Sequence, residues 1–289
     1  MRPLCIFKLA NLSLSSSSPP PLMLDPRPLF EYSLPGHEAS DVVRLYSPTE
    51  ERDGDVSSFM VTMAKSCVLL QDAEVISLPC DPSSASLSPD GMVVTGWTSG
   101  NTLHAYYVGE AILSRAVDLP SSAWKSFLVK SRVASASLFE FVLLVVCIDG
   151  SVCRVRVQSA HDTIQLLAQV SQSHPTLTAC DVCDNGRLLV LAGGIRSNAK
   201  DMEHGSTLSI WNVLDESAEL LHYSTVLAHD KLVMDAVPAA AAPSSWWSLL
   251  SGAEQLYPGY IQDIAISPDN TLVALRDSSG HVSIRQVLC

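Results

Sequence analysis

Cys180-Asp181-Val182-Cys183 has the spacing at which two thiolates grip a metal ion or exchange a disulfide, and His174 stands six residues ahead of it. A structural zinc site needs a second Cys/His pair at finger-like spacing, and none follows. Metal or redox use therefore stands second to two strand cysteines packing as small hydrophobes. His161-Asp162 and His229-Asp230 set an imidazole beside a carboxylate, but both pairs sit in polar, loop-like stretches where such groups brace turns. No H-x-x-x-H, G-x-S-x-G elbow, P-loop or G-x-G-x-x-G occurs. The expectation is a non-enzyme without cofactor or metal. Trp246-Trp247 follow Pro238–Pro243 in an insertion; adjacent tryptophans there either anchor a partner or cap the apolar edge of a neighbouring element.

The elements that position these residues belong to a chain of 289 residues, enough for one large domain or two small ones. Apolar residues are 47% and charged ones 17%, below the roughly 25% of ordinary soluble domains, and mean hydropathy is +0.22. The longest apolar run, Phe141–Ile148, falls far short of the ~20 residues a spanning helix requires, which excludes a helical membrane protein. A net charge of −12 disfavours direct binding to nucleic-acid phosphates. Residues 1–57 read as a low-complexity, disordered leader: Ser13–Pro21 is a Ser/Pro tract, and Lys8 and Asn11 interrupt the stretch that superficially resembles a signal peptide. Asn11-Leu12-Ser13 is a formal glycosylation sequon that matters only if the leader enters a secretory lumen.

Residues 58–289 read as one all-β domain of short strands and tight turns. In Val152–Gln158, Cys153, Val155 and Val157 face one way and Arg154, Arg156 and Gln158 the other. Only Ala239–Leu250 could hold a short helix. Two segments share one template: Leu87–Val94, Ser99-Gly100 and a strand ending at Val108; then Ile266–Val273, Ser279-Gly280 and a strand ending at Val287. A looser copy runs from Cys183 through Asn185-Gly186 and a late second turn at Gly205-Ser206 to Val213, and a half copy spans Val142–Val157 around Asp149-Gly150. Asp90, Gly91, Gly100, Asp149, Gly150, Asn185, Gly186, Asp269, Asn270 and Gly280 are thereby candidate turn-forming residues, since Asp, Asn and Gly are the types that tight hairpins accept. Equivalent final strands of the units, near Tyr106, Val155, Trp211 and Arg285, are 49, 56 and 74 residues apart, which suits four-stranded propeller blades of ~40–45 residues with insertions.

The S-P-D-G…S-G pattern resembles that of WD40-like propeller blades, with Trp211-Asn212 where the Trp-Asp dipeptide falls, although the Gly-His half of that signature is missing. More specifically, Leu87–Val108, Phe141–Val157, Gly186–Val213 and Tyr260–Val287 resemble, in order and wording, the N-terminal WD40-like propeller of the neuroblastoma-amplified sequence (NBAS) family. The likeness covers about four-fifths of this chain and the front part of a much longer, otherwise helical family member. It implies a non-enzymatic interaction module of a membrane tether in Golgi-to-endoplasmic-reticulum retrograde transport. Its implied partners are other tether subunits and endoplasmic-reticulum SNAREs, and its implied place is cytoplasmic, peripheral to that membrane. The family's link to nonsense-mediated mRNA decay would, at this charge, run through proteins rather than RNA contact. The alternative is a generic WD40 scaffold without a tethering role. About five blade-like units are expected, short of a seven-blade ring that needs roughly 280–315 patterned residues. Together with the end of the chain at Cys289, this leads to the expectation of a fragment or short form.

Eight cysteines, at 5, 67, 80, 147, 153, 180, 183 and 289, follow no framework of close spacings. Mass spectrometry under non-reducing conditions is expected to find all eight alkylated; two or more stable disulfides would contradict a cytosolic compartment.

Overall fold

A computed structural model describes residues 4–6, 30–32, 42–46, 59–63, 66–71, 74–170, 176–183, 186–194, 205–214, 216–227, 260–267, 272–278 and 280–286. These residues are almost entirely β-structure, with one 3-10 turn at Pro82–Ser84. They form five blade-like antiparallel sheets, the architecture of a WD40-like propeller, and a separate two-stranded pair. No helix among them is long and apolar enough to cross a membrane. The chain divides into two compact units, Met1–Val117 with Ser135–Ser137, and Asp118–Ala134 with Leu138–Cys289.

The first unit holds the pair β1 (Leu4–Ile6) and β2 (Phe30–Tyr32) and two four-stranded sheets. Sheet I is the meander β3 (Val42–Tyr46), β4 (Phe59–Met63), β5 (Cys67–Gln71) and β6 (Glu74–Leu78). Its first strand lies inside the segment 1–57 that shows no pattern in the sequence, so the boundary at residue 58 falls between β3 and β4. Sheet II joins β7 (Ser86–Leu87), β8 (Val93–Thr98), β9 (Thr102–Tyr107) and β10 (Glu110–Ala116).

The second unit holds sheets III to V. Sheet III is β11 (Ala123–Ser135), β12 (Leu138–Cys147), β13 (Ser151–Gln158) and β14 (Asp162–Gln169). Sheet IV is β15 (Leu177–Val182), β16 (Leu188–Gly194), β17 (Gly205–Val213) and β18 (Ala218–Leu227). Sheet V has three strands among the described residues, β19 (Ile261–Ile266), β20 (Leu272–Asp277) and β21 (Val282–Gln286). The strands near Tyr106, Val155 and Trp211 are thus third strands, not the last of their units. An outer strand follows each, and these escape an apolar-run reading because they are half exposed, as in the β10 sequence Glu110–Ala116. Gly205-Ser206, read as a turn, opens strand β17 opposite Leu227 and Val226.

Apolar clusters lie between successive sheets within each unit. In the first, Met60, Leu69, Leu78 and Cys80 from the sheet I side meet Ala85, Val94 and Tyr106. Cys80 and Cys67 are hydrogen-bonded thiols, and that contact, followed by burial, holds Cys67 above the usual thiol range. In the second unit, Leu144, Val146 and Val152 meet Leu189 and Leu191, while Val190, Ala192 and Leu208 meet Ile264, Val273 and Leu275. Polar bridges add direction: Ile261 N–H donates to Ser206 Oγ at 2.6 Å and Ile266 N–H to Asp181 Oδ2 at 3.0 Å.

Close packing of the first two sheets makes Gly96 a site with no room. A Cβ there would stand 2.5 Å from Cys80 Sγ and 2.6 Å from Cys80 Cβ, distances that force backbone movement. Gly96→Ala is expected to lower stability by about 1–3 kcal/mol in chemical denaturation. The Cys80→Gly, Gly96→Ala double variant should lose less than the sum of the two single changes; strict additivity would disprove the contact.

Candidate interaction site

In an antiparallel meander the turns joining strands 1–2 and 3–4 emerge at one end, and the turn joining strands 2–3 at the other. Asp90, Gly91 and Gly186 belong to 1–2 turns, and Gly100, Asp149, Gly150 and Gly280 to 2–3 turns. Gly91, Gly100, Gly150, Gly186 and Gly280 have φ of 72, 81, 83, 69 and 86°. Asn185, Asp269, Asn270, Trp246 and Trp247 lie outside the described residues, as do His174, His229, Asp230, Asn11 and the helix read at 239–250.

The 1–2 turns of sheets II, IV and V share a hydrogen-bond staple. Ser88 Oγ accepts from Val93 N–H at 2.8 Å, Ser267 Oγ from Leu272 N–H at 2.9 Å, and Cys183 Sγ from Leu188 N–H at 3.0 Å. In each, the N–H of the first residue also donates to the carbonyl of the second. Asp90 adds a further tie: its Oδ1 accepts from Ser88 Oγ–H at 2.6 Å and from Met92 N–H at 3.1 Å. Cys183 is therefore the counterpart of two serines, a turn residue. Cys180 and Cys183 enter different apolar clusters, one toward sheet III and one toward sheet V, so this C-x-x-C does not converge on a single point. Among the described residues no three His, Cys, Asp or Glu side chains converge as a metal would require. Six described cysteines, 67, 80, 147, 153, 180 and 183, are buried and unbridged. Gly186 answers two demands, since its positive φ suits glycine and a Cβ would collide with Val129 of β11.

The 2–3 turn of sheet III is held differently. Asp149 accepts from Ser151 N–H at 3.0 Å and Ser151 Oγ–H at 2.9 Å, and Gln169 Nε2–H donates to the Asp149 carbonyl at 2.8 Å. At the opposite end of the same sheet, the β11–β12 hairpin outgrows its neighbours. Glu140 pairs with Gln158, the last residue of β13, so Leu138 and Phe139 project beyond the ladder. The projecting hairpin and the 3–4 turn enclose a half-open cleft of about 430 Å³. Arg132, Leu138, Phe139, Glu140, Gln158 and His161 line it, among others. Phe139 stacks on Phe141 with ring centroids 5.1 Å apart, and Phe139 N–H donates to Ser159 Oγ at 3.0 Å, which fixes the apolar wall. Glu140 is engaged by Arg156 at 3.5 Å and by Gln158 Nε2–H at 3.3 Å. The volume is within the range of sites that take a small molecule or a few side chains of a peptide.

Sequence patterning marked His161-Asp162 as a turn brace and passed over the rest of the cleft. The available signal was length: β11 and β12 span 13 and 10 residues, against 2 and 6 for the corresponding strands of sheet II.

No protein-family model matches this chain, and no curated protein matches it either. Among solved structures, the chain is similar to the β-propeller domain of Myceliophteria thermophila Cps50 (Swd1), with 12% identity and a TM-score of 0.45 over 86% of this chain and 67% of that one. It is similar also to the WD40 β-propeller domain of Doa1, with 14% identity and a TM-score of 0.45 over 89% of this chain and 66% of that one. The chain spans about two thirds of the length of each, and at such identities the likeness is one of fold alone.

If the Ser/Cys staple carries the 1–2 turns, Cys183→Ser should change stability by no more than about 0.5 kcal/mol, whereas Ser88→Ala, which orphans a buried N–H, should cost about 1–2 kcal/mol. Urea melts of the two variants side by side check this; equal losses would sink the shared role.

Proposed function

We propose that this chain is a non-enzymatic protein-interaction scaffold, and more specifically the propeller module of a membrane-tethering subunit in Golgi-to-endoplasmic-reticulum retrograde transport. The observation that carries the scaffold reading is the cleft at one end of sheet III, formed where a long hairpin overshoots a rigid antiparallel blade. Blades of this kind hold their turns in place without a cofactor, so the turn-lined ends serve as surfaces for other proteins. The tethering reading is supported by the resemblance of Leu87–Val108, Phe141–Val157, Gly186–Val213 and Tyr260–Val287 to the NBAS propeller. On that reading the partners are other tether subunits and endoplasmic-reticulum SNAREs, and the protein works at the cytoplasmic face of that membrane, attached through them. The turn residues Asp90, Gly91, Gly100, Asp149, Gly150, Asn185, Gly186, Asp269, Asn270 and Gly280 support the scaffold, and Trp246 and Trp247 are further candidates for partner contact.

Co-purification of the tagged full chain from cells, scored for the tether partners and SNAREs against an unrelated propeller, tests this. Enrichment of tether subunits and SNAREs is expected. Reproducible recovery of other proteins without them would favour a generic scaffold, and recovery no different from the control would overturn the interaction role.

A further inference from the structure

Among the described residues, two pairs of cysteines lie side by side in buried positions. Cys67 opens β5 opposite Leu78, and Cys80, two residues beyond Leu78, returns to the same face. All three side chains belong to the apolar cluster with Ala85, Val94 and Tyr106. Cys147 closes β12, and Cys153 lies in β13 opposite Val145, two residues before Cys147, so this pair also shares a face. In each pair one thiol donates a hydrogen bond to the other sulfur, Cys67 to Cys80 and Cys147 to Cys153. That bond holds Cys80 and Cys153 below the usual thiol range, against the opposing effects of burial and of the carboxylates of Asp81 and Asp149.

Thiolate character is thus common to both pairs, and access and geometry separate them. Cys80 is 9% exposed and sits between the exposed Pro79 and Asp81 in the linker from β6 to β7, whereas Cys67, Cys147 and Cys153 are wholly buried. Cys80 also lies past the end of the ladder, which holds β6 only as far as Leu78. Cys147 and Cys153 are both strand residues on a diagonal, where Cα atoms stand roughly 7–8 Å apart, beyond the ~4.4–6.8 Å that a disulfide spans. Gly96 adds to the difference: the Cβ it lacks would stand 2.5 Å from Cys80 Sγ, so its absence leaves room for that sulfur beside β8.

We propose that Cys67 and Cys80 are a reversible oxidation site that takes a hydroperoxide as its oxidant, and that Cys147 and Cys153 are not. Cys80, as the thiolate, attacks one peroxide oxygen; the O–O bond breaks, ROH leaves after protonation, and Cys80 becomes a sulfenic acid. Cys67 then attacks that sulfur, the S–OH bond breaks and water leaves. Two thiols and ROOH give one disulfide, ROH and water, with two electrons passing from sulfur to peroxide oxygen, and a dithiol reductant reverses the change. The linker is already tied to β8, since Asp81 N–H donates to the Trp97 carbonyl at 2.8 Å and Trp97 N–H to Ser84 Oγ at 3.0 Å. A bridge to β5 fixes it from the other side, so oxidation stiffens the junction of sheets I and II. The site is independent of the scaffold reading.

The test uses the full chain, reduced and freed of reductant, with hydrogen peroxide as the probe. Remaining thiols are blocked with iodoacetamide in denaturant, and peptides are mapped without reduction. The Cys67–Cys80 disulfide is expected to form roughly tenfold faster, or more, than any bridge to Cys147 or Cys153, and dithiothreitol should restore both thiols. In Cys67→Ser, dimedone should trap Cys80 as the sulfenic acid; in Cys80→Ser, Cys67 should give no adduct. Circular dichroism melts confirm that the variants fold, and the wild-type mapping needs no substitution. Recovery of Cys67 and Cys80 as free thiols while other cysteines oxidise overturns the proposal. So do equal rates at Cys147 and Cys153, or a Cys67–Cys80 bridge that forms only after urea has unfolded the chain.

Discussion

A β-sheet that is apolar on both faces is insoluble on its own, and each face demands another sheet. Strand β16 shows the constraint most directly, because all seven of its residues are buried. Its side chains alternate between two destinations: Leu189 and Leu191 join the cluster with Leu144 and Val146 of sheet III, and Leu188, Val190 and Ala192 join the cluster with Ile264 and Val273 of sheet V. A period of two along one strand thus becomes a stack of three sheets. At roughly 25 cal/mol per Å² of apolar surface removed from water, this burial is the main favourable term, and the ladder hydrogen bonds chiefly prevent the loss that unpaired buried amides would impose.

Stacking in this way leaves little length for connections. The strands must reverse tightly, and the 1–2 turns of sheets II, IV and V do so with a side chain that accepts from an N–H five residues on. The acceptor is oxygen in Ser88 and Ser267 and sulfur in Cys183, which shows that the geometry selects a small side chain with a lone pair rather than a particular element. That equivalence also accounts for the C-x-x-C without metal or redox chemistry. Cys180 on β15 and Cys183 just past its end are three residues apart along an extended chain, so they point to opposite faces and enter separate clusters, while Asp181 between them accepts from Ile266 N–H of the next sheet.

What the sequence makes legible is what the fold repeats. Asp90-Gly91 and Asp149-Gly150 stand out because tight reversal restricts residue type, and β12, β13, β16 and β17 stand out because burial demands apolar runs. The outer strands β10, β14 and β18 face one neighbouring strand and solvent. Nothing obliges them to be apolar throughout, and their sequences, such as Asp162–Gln169, carry no strong period. Strand β3 is hidden for a different reason: five residues, Val42–Tyr46, followed by the charged stretch Glu50–Asp55, offer too short a pattern to rise above the Pro- and Ser-rich residues before them. The cleft was the least legible of all, since Arg132, Glu140, Gln158 and His161 come from separate strands and a turn and share no motif.

That asymmetry between scaffold and site has a physical origin. Residues that hold the blades recur because every blade solves the same packing problem, whereas a binding surface is useful only where one blade differs from the others. Sheet III differs by lengthening its first two strands. Such a hairpin satisfies its added backbone groups internally, strand against strand, so it needs no further core to support it. Phe139, stacked on Phe141 and donating its N–H to Ser159, ties the extension back to the third and fourth strands. The result is a projecting wall held rigid from below, with Phe139 buried in it and Leu138 exposed at its edge. In a repeat protein the informative departure is therefore less an unusual residue than an unusual length, and the side chains to examine are those that the extra length carries past the end of the ladder.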